Sequence, residues 1–372
     1  MSPTLVILLV ASLVASACAL LGAFLVLRKM ALLGDAISHA VLPGIAVAFL
    51  LTGDRSALPM VLGAGAVGVL TVFLVELSNR TQRLKEDASI GVVFPALFAL
   101  GVILISRYAG QVDLDLDCVL YGEIAYSPWD LLFFQGEPIG PKALWVNGVI
   151  LLVNLLFVGL FYKELKLSTF DAELAATLGF APLLLHYLLM ALVSITVVGA
   201  FESVGAILVV AMLVVPPATA YLLTDRLSHM LMLSVGTGIA SAILGYFLAR
   251  VWDASIAGAM AVVAGVLFAL AFAFSPRHGL AARLARRRRL RRATSEQLVM
   301  LHLHHGHRTL PAPALARRFG WRRRRLEAVA GRLTRRGWLK KEESGLRLTE
   351  AGEQALERSG QLPLRHLPGT AA

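Results

Sequence analysis

Two residues with the means to do chemistry stand four apart inside an apolar run: Asp35 and His39, in the segment LLGDAISHAVLPG at 32–44. On a helix, positions i and i+4 share one face about one turn apart, so a carboxylate and an imidazole would meet there. Oxygen plus imidazole nitrogen suits Mn²⁺, Zn²⁺ or Fe²⁺ better than Ca²⁺ or Mg²⁺. Two donors hold an ion poorly. A second copy facing the first across a twofold axis would raise the count to four, which is a physical reason to expect a dimer. The spacing alone also fits a blander role, with Asp35 capping a helix and His39 hydrogen-bonding within a bundle. Glu76, His186 and Glu202 are weaker candidates: Glu76 lies near a helix end, His186 begins a helix and Glu202 sits in a turn between two spans.

The elements that must position this pair are set by composition. Of 372 residues, 57% are hydrophobic and 16% charged, and the mean hydropathy is +0.73. A soluble enzyme, a secreted scaffold and a disordered chain are excluded. The two cysteines, Cys18 and Cys118, give neither a metal-ligand spacing nor a disulfide framework. A spanning helix needs roughly 20 apolar residues, and the runs at 5–27, 36–51, 58–77, 90–105, 144–162, 182–200, 203–223, 230–249 and 255–274 supply nine, or eight or ten if one is re-entrant. The fold class is an all-α polytopic membrane bundle of about eight or nine helices. Gly and Pro inside the runs (Pro43, Gly44, Pro95, Pro216, Pro217) permit close packing or broken helices.

Charge sets the orientation. The first 275 residues hold 12 Lys and Arg against 17 Asp and Glu, whereas the last 97 hold 23 against 7. Alternate loops carry the cations: Arg28 and Lys29; Arg80, Arg83 and Lys85; Lys163 and Lys166; Arg226; then the tail. The opposite loops mix Arg55, Arg107, Lys142 and Arg250 with acids such as Asp113, Asp115, Asp117 and Glu123. Cytoplasmic loops are enriched in Lys and Arg, so the expectation is a multi-pass protein of the cell (inner) membrane with a cytoplasmic C-terminus. Nine spans would put the N-terminus outside, and the segment before the first run lacks the positive region of a cleavable signal peptide.

The string RKMALLGDAISHAVLPG at 28–44 closely resembles the ABC-3 family of ABC-transporter permeases for manganese, zinc or iron. Collinear similarities follow at DASIGVVF (87–94), YKELK (162–166) with FDAE (170–173) and LG (178–179), VGAILVV (204–210), PPATA (216–220) and TDR (224–226), ending at SPR (275–277). The resemblance covers about residues 5–280 and implies a type II importer-like permease. It implies transported Mn, Zn or Fe with no permanently bound cofactor, and an ion path lined by Asp35 and His39. The implied partners are a cytoplasmic ABC ATPase, an extracytoplasmic metal-binding protein and a second permease subunit, identical or a sister. No G-x-x-x-x-G-K-[ST] loop is present, so hydrolysis belongs to the ATPase partner and the chain is a transporter subunit rather than an enzyme.

Two cytoplasmic segments could carry ATPase motion into such a bundle. One is 216–228, where Pro216 and Pro217 would end a span and a short helix with Thr224, Asp225 and Arg226 would lie on the ATPase; this one is favoured. The other is 171–179, with Asp171, Glu173 and a terminating Gly179.

The domain organisation reads as a permease domain at 1–280, a basic linker at 281–294, a small domain at 295–360 and a tail at 361–372. Seven arginines between Arg283 and Arg292 would attract anionic lipid headgroups. Helices at 295–305, 311–319 and 321–336, a two-stranded wing around a turn at Ser344 and Gly345, and a helix at 349–358 resemble a winged helix-turn-helix domain. In such domains the helix at 321–336 enters the major groove, with Arg322, Arg323, Arg324 and Arg325 contacting phosphates or bases, which makes DNA a candidate partner. Binding of the ATPase or a regulator, or dimerisation, would suit the same domain, and His302, His304, His305 and His307 are a candidate metal sensor. Two competing readings of the whole chain are a membrane-tethered DNA-binding regulator and a permease for a chelated iron compound. The latter needs a wide aromatic-lined cavity, against which the few aromatics near the pair argue.

Overall fold

The computed structural model describes residues 2–52, 57–80, 86–108, 124–134, 137–275, 279–305, 309–310, 312–342 and 345–360. The loop residues Arg55, Arg83, Lys85, Asp113, Asp115, Asp117, Cys118 and Glu123 lie outside them, as do Pro276, Arg277, His307, Ser344 and the tail at 361–372. The chain divides into two compact units, Met1–Gly279 and Leu280–Ala372.

The first unit is helical because a backbone in hydrocarbon must satisfy its own hydrogen bonds. Its helices are α1 (Pro3–Leu27), α2 (Ala31–Ala40), α3 (Leu42–Thr52), α4 (Ala57–Arg80), α5 (Glu86–Tyr108) and α6 (Lys142–Leu160). They are followed by α7 (Tyr162–Phe170), α8 (Ala172–Thr177), α9 (Pro182–Val204), α10 (Ala206–Leu223), α11 (Leu227–Trp252) and α12 (Ile256–Phe274). Among the described residues eight segments are long and apolar enough to cross a membrane, α2 and α3 together counting as one; α4 adds a shorter apolar stretch, Leu62–Ser78. Helix α1 is the hub. Every residue from Val14 to Leu25 is buried, as expected of a helix apolar on all sides, and α6, α9, α10 and α11 pack around it. Buried amides join α6 to α9: Asn147 Nδ2 donates to Ser203 Oγ at 3.0 Å, and Asn154 Nδ2 to Thr196 Oγ1 at 2.9 Å.

Three local expectations change. Pro216 and Pro217 do not end a span; α10 runs through both to Leu223, and only three residues separate it from α11, leaving no room for a further helix. Pro217 has no N–H for the Leu213 carbonyl, but that carbonyl faces Gly22 of α1 so closely that any Cβ there would collide with it. Tight packing against α1 thus accompanies a helix that stays continuous where isolated Pro-Pro would break it. The turn between α9 and α10 falls at Gly205 (φ +81), which places Glu202 in the last turn of α9. A short antiparallel hairpin, β1 (Leu131–Phe134) with β2 (Glu137–Pro141), precedes α6 and had no clear signal in the sequence.

The second unit opens with α13 (Leu280–His305), one continuous helix where the sequence suggested a linker followed by a helix. Arginine is a good helix former, so the basic block extends the helix. Then come β3 (Thr309–Leu310), α14 (Ala312–Arg318), α15 (Arg323–Arg335), β4 (Leu339–Glu342), β5 (Gly345–Leu348) and α16 (Glu350–Gly360). The strands form an antiparallel sheet in the order β3-β5-β4. Val299, Leu303, Leu315, Leu326, Val329, Leu333, Leu346 and Leu356 make its core.

Candidate metal site

Helix α2 has two faces. Leu33, Ala36, Ile37 and Ala40, at helical spacing, are buried, and α2 packs on α4, α9 and α10. Asp35 and His39 fall on the opposite face. Their closest approach is 3.7 Å, from His39 Nε2 to Asp35 Oδ1, with the side chains 37% (His39) and 50% (Asp35) exposed. That geometry leaves room for an ion between them, and their exposure within an apolar span marks a surface that bare lipid cannot cover.

Helix α5 forms the near wall. Phe94 lies 5.9 Å from the His39 ring, and Phe98 meets it edge-on at 6.4 Å. Phe94 and Phe98 repeat the i, i+4 spacing of the pair they flank, so the expectation of few aromatics near the pair is corrected: they come from a helix over fifty residues away in sequence. Just beyond His39, Pro43 has no N–H to offer the His39 carbonyl, and the helix is interrupted at Val41, between α2 and α3. Among the described residues no group of three or more His, Cys, Asp or Glu side chains comes together. Asp35 and His39 thus stand as a pair of donor side chains among the described residues.

The segment at 171–179 is a built element. Asp171 caps α8, its Oδ1 accepting the Leu174 N–H at 2.9 Å. Gly179 ends the turn at φ +86, a backbone state that L side chains resist. Glu173 is exposed, as are Phe170, Leu174 and Leu178, an apolar row that the described residues leave uncovered. In the other segment Pro216 and Pro217 are buried, Thr224 caps α10 and accepts the Arg226 N–H on its Oγ1 at 3.3 Å, and Asp225 and Arg226 are exposed.

Arg28, read in the sequence for its loop charge and as the first residue of the string at 28–44, makes contacts that neither reading anticipated. Its guanidinium donates from Nε to Thr169 Oγ1 at 3.2 Å, from Nη2 to Ser168 Oγ at 3.1 Å and from Nη1 to His186 Nδ1 at 3.1 Å. A guanidinium has no acceptor, so His186 Nδ1 must be the unprotonated nitrogen. Nearby, Tyr187 Oη donates to Glu76 Oε2 at 2.6 Å. The only signal in the sequence was that Arg28 belongs to the same string as Asp35 and His39.

In the second unit, Arg322, Arg323 and Arg324 are exposed at the start of α15. Arg323 pairs with Glu327 at 2.9 Å. Arg325 instead stacks on Trp321, 4.5 Å from the ring centroid, and donates to Ser295 Oγ at 3.2 Å. Buried Glu296 accepts from Arg332 at 2.7 Å and Arg336 at 2.9 Å. His302 packs edge-on against Phe319, with ring centroids 5.3 Å apart.

The model of the ABC 3 transport family matches residues 3–275. The manganese transport system membrane protein MntD of Bacillus subtilis (strain 168) is 52% identical over 268 residues, covering 72% of this chain and 90% of MntD. The zinc transport system membrane protein TroD of Treponema pallidum (strain Nichols) is 44% identical over 355 residues, 94% of this chain and 96% of TroD, so the likeness extends into the second unit. Among solved structures, PsaBC from Streptococcus pneumoniae in complex with Fab superposes with a TM-score of 0.62 at 32% identity, covering 75% of this chain and 94% of that one. With its apolar helices and these relatives, the chain is a multi-pass membrane protein and belongs to the ABC 3 transport family.

Proposed function

We propose that this chain is the permease subunit of an ATP-driven importer of divalent transition-metal ions, Mn²⁺, Zn²⁺ or Fe²⁺, and that the ion passes Asp35 and His39. The observation that carries the reading is the carboxylate–imidazole pair, 3.7 Å apart and half-exposed on a membrane-spanning element. A second permease subunit, identical or a sister, completes the site with a matching pair, giving four donors and covering the exposed polar face. Asp35 supplies charge against the ion, and His39 must be neutral to ligate, so protons compete with the metal. The manganese and zinc assigned in the names of MntD and TroD support this cargo class. An extracytoplasmic metal-binding protein delivers the ion, and a cytoplasmic ATPase drives the cycle. The test is metal uptake by the assembled transporter: Asp35→Ala and His39→Ala abolish uptake while the permease still copurifies with its ATPase, and normal uptake in both variants would overturn the reading.

The ATPase-facing element is α7 with α8 rather than 216–226. Support comes from the capped, independently turned α8 with exposed Phe170, Leu174 and Leu178, whereas Pro216 and Pro217 are buried and the connection after them is three residues long. The charge pattern of the loops puts this element, and the C-terminus, in the cytoplasm.

A second reading concerns the C-terminal unit, as a winged helix-turn-helix that regulates transport by binding DNA. Its support is an exposed basic surface: Arg322, Arg323 and Arg324 on α15, exposed Ala328 beside them, and Lys340, Lys341 and Arg347 on the β4–β5 hairpin. Titration of the full chain with duplex DNA should show affinity falling steeply with salt. No binding at low salt would leave the basic block to lipid headgroups and the domain to protein partners.

A further inference from the structure

The Arg28 cluster joins two places that the sequence keeps 140 residues apart. On one side are Ser168 and Thr169, in the last turn of α7, next to Asp171, which caps α8. On the other is the turn that leads into α2. There the Met30 N–H donates to the Leu25 carbonyl at 2.9 Å, the Leu33 N–H to the Met30 carbonyl at 3.1 Å, and Lys29 sits at φ +62. Backbone hydrogen bonds and the left-handed Lys29 thus hold this short turn in a defined shape. Asp35 follows Arg28 by seven residues and His39 by eleven, within about three helical turns.

We propose that Arg28 is the positioning residue that ties the α7–α8 element to the helix carrying the metal pair, so that movement of α8 is transmitted to Asp35 and His39. The proposal rests on the reading of α8 as the ATPase-facing element. A guanidinium suits the task because its planar fork fixes three donors at once, where an ammonium would hold one point. The three acceptors are two hydroxyls and an imidazole nitrogen, all without formal charge, and they come from two different helices, α7 and α9. Bonds of this kind exchange more readily than a buried ion pair, which would resist breaking. The contact can therefore yield and re-form as α7 shifts.

The experiment uses the full permease with its ATPase in proteoliposomes and reads three quantities on each variant: ATPase retention, ATP hydrolysis, and Mn²⁺ or Zn²⁺ transported per ATP. Arg28→Gln should lower ions per ATP by about tenfold, the loss expected when bonds to a charged donor vanish, while retention and hydrolysis change less than about twofold. Arg28→Lys should recover part of the ratio. If Arg28→Gln fails to fold, Ser168→Ala with Thr169→Val removes two of the three acceptors, those on α7, and should lower the same ratio. In a background that does fold, adding Arg28→Gln to those changes should cost less than the product of the two effects. A ratio unchanged in both Arg28→Gln and the Ser168/Thr169 variant, or uptake and hydrolysis falling in step, overturns the proposal. Leu174→Asp separates the two claims. If that variant keeps its ATPase, the reading of α8 is wrong; if it loses the ATPase while Arg28 variants stay coupled, only the tie is wrong.

Discussion

Arginine is held in opposite ways in the two units. In the membrane-spanning unit Arg28 is half-buried and bonded to two hydroxyls and an imidazole from two helices. In the C-terminal unit Arg332 and Arg336 close on a single buried carboxylate, Glu296, and most other arginines face solvent. The difference follows from the surroundings. Where lipid or packed protein replaces water, a charged group persists only if several partners hold it, so each such group carries information about mechanism. Where water solvates the charge, a count of +16 over the last 97 residues says little, and the buried Glu296 carboxylate gathers two of the arginines.

The largest expected effect is on the acids of the membrane unit. Asp35→Asn keeps shape and removes charge, and should cut uptake by about 100-fold or more, beyond what outer-sphere changes around a metal usually cause. Glu76→Gln, whose carboxylate accepts the Tyr187 hydroxyl, should change uptake by less than about threefold. Equal effects from the two would break the distinction between an ion ligand and a structural acid.

A smaller, purely structural effect belongs to Glu296. Glu296→Gln should destabilise the C-terminal unit by about 2 kcal/mol, because two arginines lose a charged acceptor that is itself buried. Calorimetry of the full chain should show that unit's transition fall by several degrees while uptake stays within about twofold. The smallest effect is at Arg323, whose i, i+4 pair with Glu327 is exposed on both sides. Arg323→Ala should shift the same transition by less than about 0.5 kcal/mol; a larger shift would show that the surface arginines are structural after all.

Much of this arrangement was legible in the residues. Apolar runs marked the helices, and the four-residue spacing of Asp35 and His39 put both on one helix face, where they lie 3.7 Å apart. What stayed hidden depends on distant neighbours. Pro216 and Pro217 look like a helix end until Gly22 of α1 is seen to admit the freed Leu213 carbonyl. Phe94 and Phe98 reach His39 from another helix, and Arg28 finds partners some 140 residues on. The hairpin β1–β2 and the two-residue β3 are too short to leave a periodic signal. The basic block at 281–294 resembled a linker because charge runs usually are, yet its arginines continue α13.

On the function proposed above, two permease chains share one ion through Asp35 and His39. Equilibrium dialysis of the permease purified with its second subunit measures the Mn²⁺ or Zn²⁺ bound per pair of chains. One bound ion per two permease chains is expected, lost in both Asp35→Ala and His39→Ala; ion retained undiminished in those variants would contradict the shared site.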